Sequence, residues 1–178
     1  KFWFFPADCI NEKLNLIEQT GIRLYDSISG NAPFKKEFLI NAAVEEGISS
    51  AIYEGANSTR AKAKQLIESG EKPENKDEWM LLNNYKALLW IKENYKNNLS
   101  LESILKIHEI VSKNTLTEDL EYFCGKFRND KVFVGDHEGI DFNLIEAALG
   151  ETIELTTNHP RYLHALLKGI LLHYFLAY

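Results

Sequence analysis

The sequence predicts a mainly α protein carrying a single β-hairpin. Three observations point there. Apolar residues recur at three- and four-residue spacing over most of the chain, the mark of helices that bury one face. One stretch, "KVFVGDHEGIDF", departs from that period with a β-type run and a cluster of turn residues. The composition, 45% apolar and 26% charged over 178 residues, is that of an ordinary globular domain with enough chain for a core.

The elements follow in order. A first helix is expected from about Asn11 to Ile28, on Leu14, Ile17, Ile22, Leu24 and Ile28, before Gly30, Asn31 and Pro33 turn the chain. A second runs from about Lys35 to Glu54 and stops at Gly55, since a glycine just past a helix end takes the left-handed conformation at no steric cost. Ser58 is placed to cap a third, "TRAKAKQLIES", which Gly70 ends. The polar "GEKPENKDEW" is the best internal boundary. A longer helix should follow from about Asp77 to Tyr95, with Met80, Leu88, Ile91 and Tyr95 along one side. Ser100 caps the next, whose apolar stripe is Leu101, Ile104, Leu105, His108 and Val111. His108 on that stripe reads as a hydrogen-bonded core histidine rather than a ligand. Lys131 to Val134 should form the first strand, "GDHEG" the turn, and Ile140 to Phe142 the returning strand. Helices resume from about Asn143 to Thr157, and from Pro160, suited to a first helical turn, to the end.

Several classes of function are disfavoured. The net charge is −6 and no block of Lys and Arg stands out, so nucleic acid is not expected as a partner. The most apolar run, "ALLKGILLHYFLAY", is interrupted by Lys168 and His173 and is shorter than the ~18–20 residues of a membrane span, so no membrane partner is expected. "KFWFF" is cut short by Pro6 and Asp8, and without an export signal a cytoplasmic location is expected. Cys9 and Cys124 stand in no metal-like or redox-like spacing; they fit a reducing compartment, with a single disulfide left open. No phosphate-binding glycine loop, dinucleotide fingerprint or zinc-type histidine pair occurs. "DHE" at Asp136 to Glu138 reads as a solvated turn, and His159 and His164 are not expected to bind metal; no metal ligands are assigned. The chain begins at Lys1 and stops at Tyr178 within an uncapped apolar helix, which suggests sequence missing at both ends.

Within "GISSAIYEGANSTR", Ser50 and Glu54 share one helix face, a turn apart, with Gly55 following at once. A carboxylate in a last helical turn opposes the helix macrodipole. Either the helix end is simply solvated, or the acid has a partner elsewhere.

"SSAIYEGANSTRAKAKQLI", "LLNNYKAL" at Leu81 to Leu88 and "CGKFRNDKVFVG" at Cys124 to Gly135 come in an order and spacing that resemble the Fic family. The closing "HALLKGILLHYFLAY" looks like the helix leading into the Fic active-site loop. The resemblance covers the chain from about Lys35 onward. It implies a Fic-like helical bundle with one β-hairpin, the flap. The implied activity is transfer of AMP from ATP, with magnesium, to a Ser, Thr or Tyr hydroxyl of a target protein. The family's signature, His-Pro-Phe and Gly-Asn-Gly-Arg, supplies a general-base histidine and the phosphate-holding amides and arginine. By the family's pattern it would begin just after Tyr178, so no catalytic residue lies in this chain, which alone should be inactive.

The resemblance also gives the acid a partner. Self-inhibited Fic proteins carry Ser or Thr, three residues, Glu, then Gly or Asn, and "SAIYEG" at Ser50 to Gly55 matches. The family's glutamate pairs with the signature arginine that would otherwise hold the ATP γ-phosphate. Ser50, Glu54 and Gly55 are thus the expected inhibitory residues. Related sequences often read Ser-Ser-x-Ile-Glu-Gly, and Tyr53 adds a residue, so which serine supports the helix stays open. Lys131, Val132, Phe133, Val134, Gly135 and Asp136 would form the flap that docks an extended target segment by strand addition, with Phe133 as an apolar clamp; a hairpin that merely covers the core is the competing reading. Arg128 matches a recurrent family position and is expected in a structural ion pair.

The division expected is an N-terminal helical region with the inhibitory helix, residues 1–99, and an incomplete Fic core with the flap, residues 100–178. A second copy of the chain could supply or relieve the inhibition. The alternative is a non-catalytic helical interaction module, or a degenerate Fic fold that binds a peptide through its hairpin.

Overall fold

The computed structural model describes residues 7–29, 32–158 and 162–177, and it is mainly helical. Among these residues the helices are α1 (Asp8–Ser29), α2 (Ala32–Tyr53), α3 (Arg60–Ser69), α4 (Lys76–Asn94), α5 (Leu101–Ser112), α6 (Ile145–Thr157) and α7 (Ala165–Ala177). Strands β1 (Phe133–Val134) and β2 (His137–Glu138) pair antiparallel between α5 and α6, flanked by 3-10 turns at Glu121–Phe123 and Phe142–Leu144.

The core forms where α2 and α3 pack on α4. Ile48, Ala51 and Ala63 are fully buried there, with Val44, Ala56 and Leu81 beside them and Met80 and Tyr85 closing the edge. Small residues let the helices approach closely. A Cβ on Gly47 would stand 3.0 Å from the Tyr85 backbone nitrogen and 3.1 Å from its Cα, so α2 and α4 meet there backbone to backbone. Lys64 Nζ pairs with Glu45 Oε1 at 2.6 Å and Lys62 Nζ lies 3.8 Å from Glu78 Oε1, which ties α3 to α2 and α4 from outside.

Helix α4 is central, and this corrects the expected stripe. Ile91 and Tyr95 are exposed, whereas Glu78, Leu81, Asn83 and Ala87 are buried. With α2 on one side and α5 on the other, the helix is covered on more than one face. A single apolar period cannot describe such a helix. Asn83 is 2% exposed, and its Nδ2 donates to the carbonyls of Lys113 at 2.7 Å and Val111 at 3.3 Å. Those carbonyls end α5 without helical partners, so Asn83 completes that terminus from a neighbouring helix.

Caps set most boundaries. Ser100 accepts from the Ser103 amide while the Ser103 hydroxyl accepts from the Ser100 amide, a reciprocal capping box. Asn75 accepts from the Glu78 amide at 3.0 Å to start α4, and Gly70 (φ 69°) ends α3 in the left-handed conformation. Thr59, not Ser58, caps α3: its hydroxyl accepts from the Lys62 amide at 3.2 Å. The Ser58 amide is instead taken by the Ala56 carbonyl in the preceding turn, which puts the extended cap residue one position later. Pro33 lies in the first turn of α2, where a missing amide costs nothing, rather than in a turn between helices. Asp141 accepts from the Asn143 amide to open a 3-10 turn ahead of α6.

The expected turn at Gly30 and Asn31, and His159 and Pro160 at the proposed start of the last helix, lie outside the described residues. Helix α7 begins at Ala165, capped by His164, whose Nδ1 accepts from the Leu166 amide at 3.1 Å. The His164 Nε2 lies 2.9 Å from Glu18 Oε1 of α1. The apolar stripe expected of α1 is mostly open to solvent at Ile17, Ile22 and Leu24. Cys9 and Cys124 are both free thiols. No helix among the described residues is long and apolar enough to cross a membrane.

Candidate functional site

The end of α2 is built by its backbone. The Ala56 amide donates to the Ala51 carbonyl at 2.9 Å and the Gly55 amide to the Ile52 carbonyl at 3.0 Å, the paired bonds of a Schellman motif. Gly55 has φ 95°, a conformation that a Cβ would strain. Ala56 turns back into the core beside Ala51, which supplies the apolar contact of this motif.

This geometry makes Glu54 the C-cap residue. Its amide donates to the Ser50 carbonyl at 3.0 Å, and both side chains are exposed, as is Tyr53 at 89%. Among the described residues the Glu54 carboxylate has no hydrogen bond or ion pair. It stands at the negative end of the α2 macrodipole, where a neighbouring cation would relieve two unfavourable terms together. Ile48 and Ala51 face the core from the same segment, so "GISSAIYEG" has one buried face and one open face carrying Ser50 and Glu54.

The hairpin differs in register from the expectation. Phe133 pairs with Glu138 and Val134 with His137, leaving only Gly135 and Asp136 as the loop. Gly135 has φ 61°, and a glycine leading a two-residue loop closes a hairpin immediately. The returning strand is therefore His137–Glu138, and the "GDHEG" turn with a strand at Ile140 to Phe142 is corrected; Phe142 belongs to a 3-10 turn. The Gly139 amide donates to the Val132 carbonyl at 2.9 Å, extending the pairing by one rung. Lys131 Nζ lies 2.6 Å from Glu138 Oε1, and this contact raises the Lys131 pKa above its ordinary value. Val132 and Phe133 are 43% and 60% exposed. Asp136, His137 and Glu138 follow the turn and strand, and among the described residues no three His, Cys, Asp or Glu side chains converge as a metal site.

The segment before the hairpin is fastened to α5. The Gly125 amide donates to His108 Nδ1 at 3.1 Å, and Cys124 Sγ donates to the Glu109 carbonyl at 3.4 Å. Gly125 has φ 72°, and a Cβ there would come within 2.8 Å of Glu109 Cβ. Burial holds His108 below the ordinary imidazole pKa, which keeps Nδ1 free to accept. His108 is thus hydrogen-bonded as expected, but half-buried rather than part of the core. Among the described residues Arg128 makes no ion pair, against the expectation: Nη1 donates to the Asp130 carbonyl at 2.6 Å and Nη2 to the Ile140 carbonyl. The reason is chain geometry, because these carbonyls close on it from both ends of the hairpin.

The structure therefore groups Ser50, Glu54 and Gly55 at one helix end and residues 131–136 in one hairpin, in separate parts of the fold. Sequence reasoning missed the open groove of about 960 Å³ between α4 and α5, walled in part by Trp90, Ile91, Tyr95 and Leu105. Ile91 and Tyr95 were legible as apolar positions, but their facing a groove was not. Comparison of the chain with protein-family models and with curated proteins returns no match.

Proposed function

We propose that this chain is most of the scaffold of a self-inhibited Fic-type AMP transferase, in which Glu54 restrains transfer of AMP from ATP to a hydroxyl of a target protein. The observation that carries the reading is the state of Glu54. It is an exposed carboxylate with no ion pair among the described residues, fixed at a helix end by a Schellman turn, where a cation from elsewhere would be favoured by both the charge and the helix dipole. The signature arginine of a Fic loop would be such a cation, and pairing would deny that arginine to the γ-phosphate of ATP. Magnesium would arrive with the nucleotide phosphates and needs only one or two protein carboxylates, so the lack of a three-ligand cluster among the described residues is compatible with it. The exposed Val132 and Phe133 support the hairpin as a docking strand for an extended segment of the target.

The test uses a chain that includes the complete loop. Glu54→Gly should raise incorporation of labelled AMP into protein at least ~10-fold, since it removes a charge-assisted contact of the order of 1.5–3 kcal/mol. Unchanged incorporation would remove Glu54 from the inhibitory role. A second reading rests on the same exposed hairpin: a non-catalytic module that binds peptides by strand addition. An extended chain that lacks the signature histidine and arginine, and does not bind ATP, would favour it.

A further inference from the structure

We propose that Arg128 is a positioning residue for the hairpin, holding β1 as a rigid docking strand by bridging the two segments through which the chain enters and leaves it; this rests on the docking reading above. A pair of two-residue strands has little stability of its own. Its ties include the Lys131–Glu138 contact, the Gly139–Val132 rung and the donation of the Lys131 amide to Asp130 Oδ1 at 2.7 Å. The ion pair is exposed at both ends and contributes little in water. All three lie within residues 130–139 and leave the neck of the hairpin, where the chain enters and leaves, unbridged by themselves.

Arg128 bridges it. Upstream, the chain is anchored to α5 through Gly125 and Cys124, three and four residues before the arginine. From that anchored base the guanidinium reaches the Asp130 carbonyl with one nitrogen and the Ile140 carbonyl with another. Asp130 precedes the hairpin and Ile140 follows it, so one planar group spans its neck. Two carbonyls at fixed separation suit the guanidinium fork, whereas an ammonium is a single point charge that cannot hold both in the same geometry. With the neck fixed, the edge at residues 131–134 keeps one direction, and an incoming strand need not order it on binding.

Amide hydrogen exchange on the whole chain, for wild type, Arg128→Lys and Arg128→Ala, separates this role from alternatives. Loss of the two-carbonyl bridge, complete in Arg128→Ala and reduced to a single contact in Arg128→Lys, should speed exchange of the Gly139 amide at least ~10-fold in both variants. The amides of Ile48 and Leu81 in the core should keep their wild-type rates. Wild-type Gly139 protection in Arg128→Lys would overturn the bridging role, since the charge would then suffice. A uniform acceleration of all amides would overturn it too, because Arg128 would be part of the global fold. The exchange result decides the role of Arg128 whatever the hairpin binds. The docking reading is judged separately, by whether an array of extended Ser-, Thr- and Tyr-containing peptides binds the wild type and loses binding in Arg128→Lys.

Discussion

Replacing Gly47 by alanine sets two known effects against each other. Alanine is favoured over glycine in a helix interior by ~0.8–1.0 kcal/mol, which alone would stabilise α2. The added Cβ would stand 3.0 Å from the Tyr85 nitrogen, 3.1 Å from its Cα and 3.4 Å from its Cβ. Two of those three neighbours are backbone atoms of α4 and cannot swing aside like the tip of a side chain. The helices must separate by a few tenths of an ångström at a point flanked by the fully buried Ile48. Overpacking of a tight core costs ~1–3 kcal/mol, so the net effect should be destabilisation by up to ~2 kcal/mol. For a domain of this size each kcal/mol moves Tm by roughly 2–4 °C. Gly150→Ala in α6 is the matched control, because nothing lies within 4 Å of its Cβ position and only the helix term operates. Urea unfolding followed by circular dichroism should show Gly47→Ala below wild type and Gly150→Ala above it. The gap between the two variants isolates the packing cost at about 1–3 kcal/mol. Equal upward shifts would refute the close approach of α2 and α4.

Two further outcomes follow from buried polar contacts. Asn83→Ala removes the donor to the Lys113 carbonyl and leaves the Val111 carbonyl only the Thr115 hydroxyl at 3.4 Å, and should lower stability by ~1–3 kcal/mol, read from the urea midpoint. Asn83→Asp, which opposes an acceptor to the same carbonyls, should be worse. His108 makes a pH prediction whose sign follows from burial. Its folded pKa lies below the ordinary value of 6.5, so between the two values the unfolded chain binds more protons. The stability it contributes is complete above pH 6.5 and is lost as pH falls from there toward the lowered value. His108→Asn, whose Oδ1 can accept from the Gly125 amide, should flatten that fall. Superimposable stability curves for the two proteins between pH 5 and 8 would dismiss the assignment.

The sequence by itself determined the features that a few adjacent residues settle. Ser100 caps α5, Gly55 and Gly70 end their helices, and a glycine turns the hairpin, because capping bonds and positive φ values act within one turn of chain. The mainly α class and the open face bearing Ser50 and Glu54 follow from helical period for the same reason. Choices between near-equal neighbours went astray, as with Thr59 over Ser58, and with a strand at His137–Glu138 where polar residues hid the pairing. The tertiary structure alone decided what depends on partners distant in sequence. Asn83 looks like a surface residue until carbonyls 28 and 30 positions away are brought to it. Gly47 is an ordinary helix weakness until Tyr85 lies against it, and Arg128 suits an ion pair until the hairpin folds its own carbonyls onto the guanidinium. The α4 periodicity is blurred because two helices cover it, and no one-dimensional pattern records which neighbour claims which face. Local bonds are written in adjacent letters; burial is a property of the assembled surfaces, and it exists only once they meet.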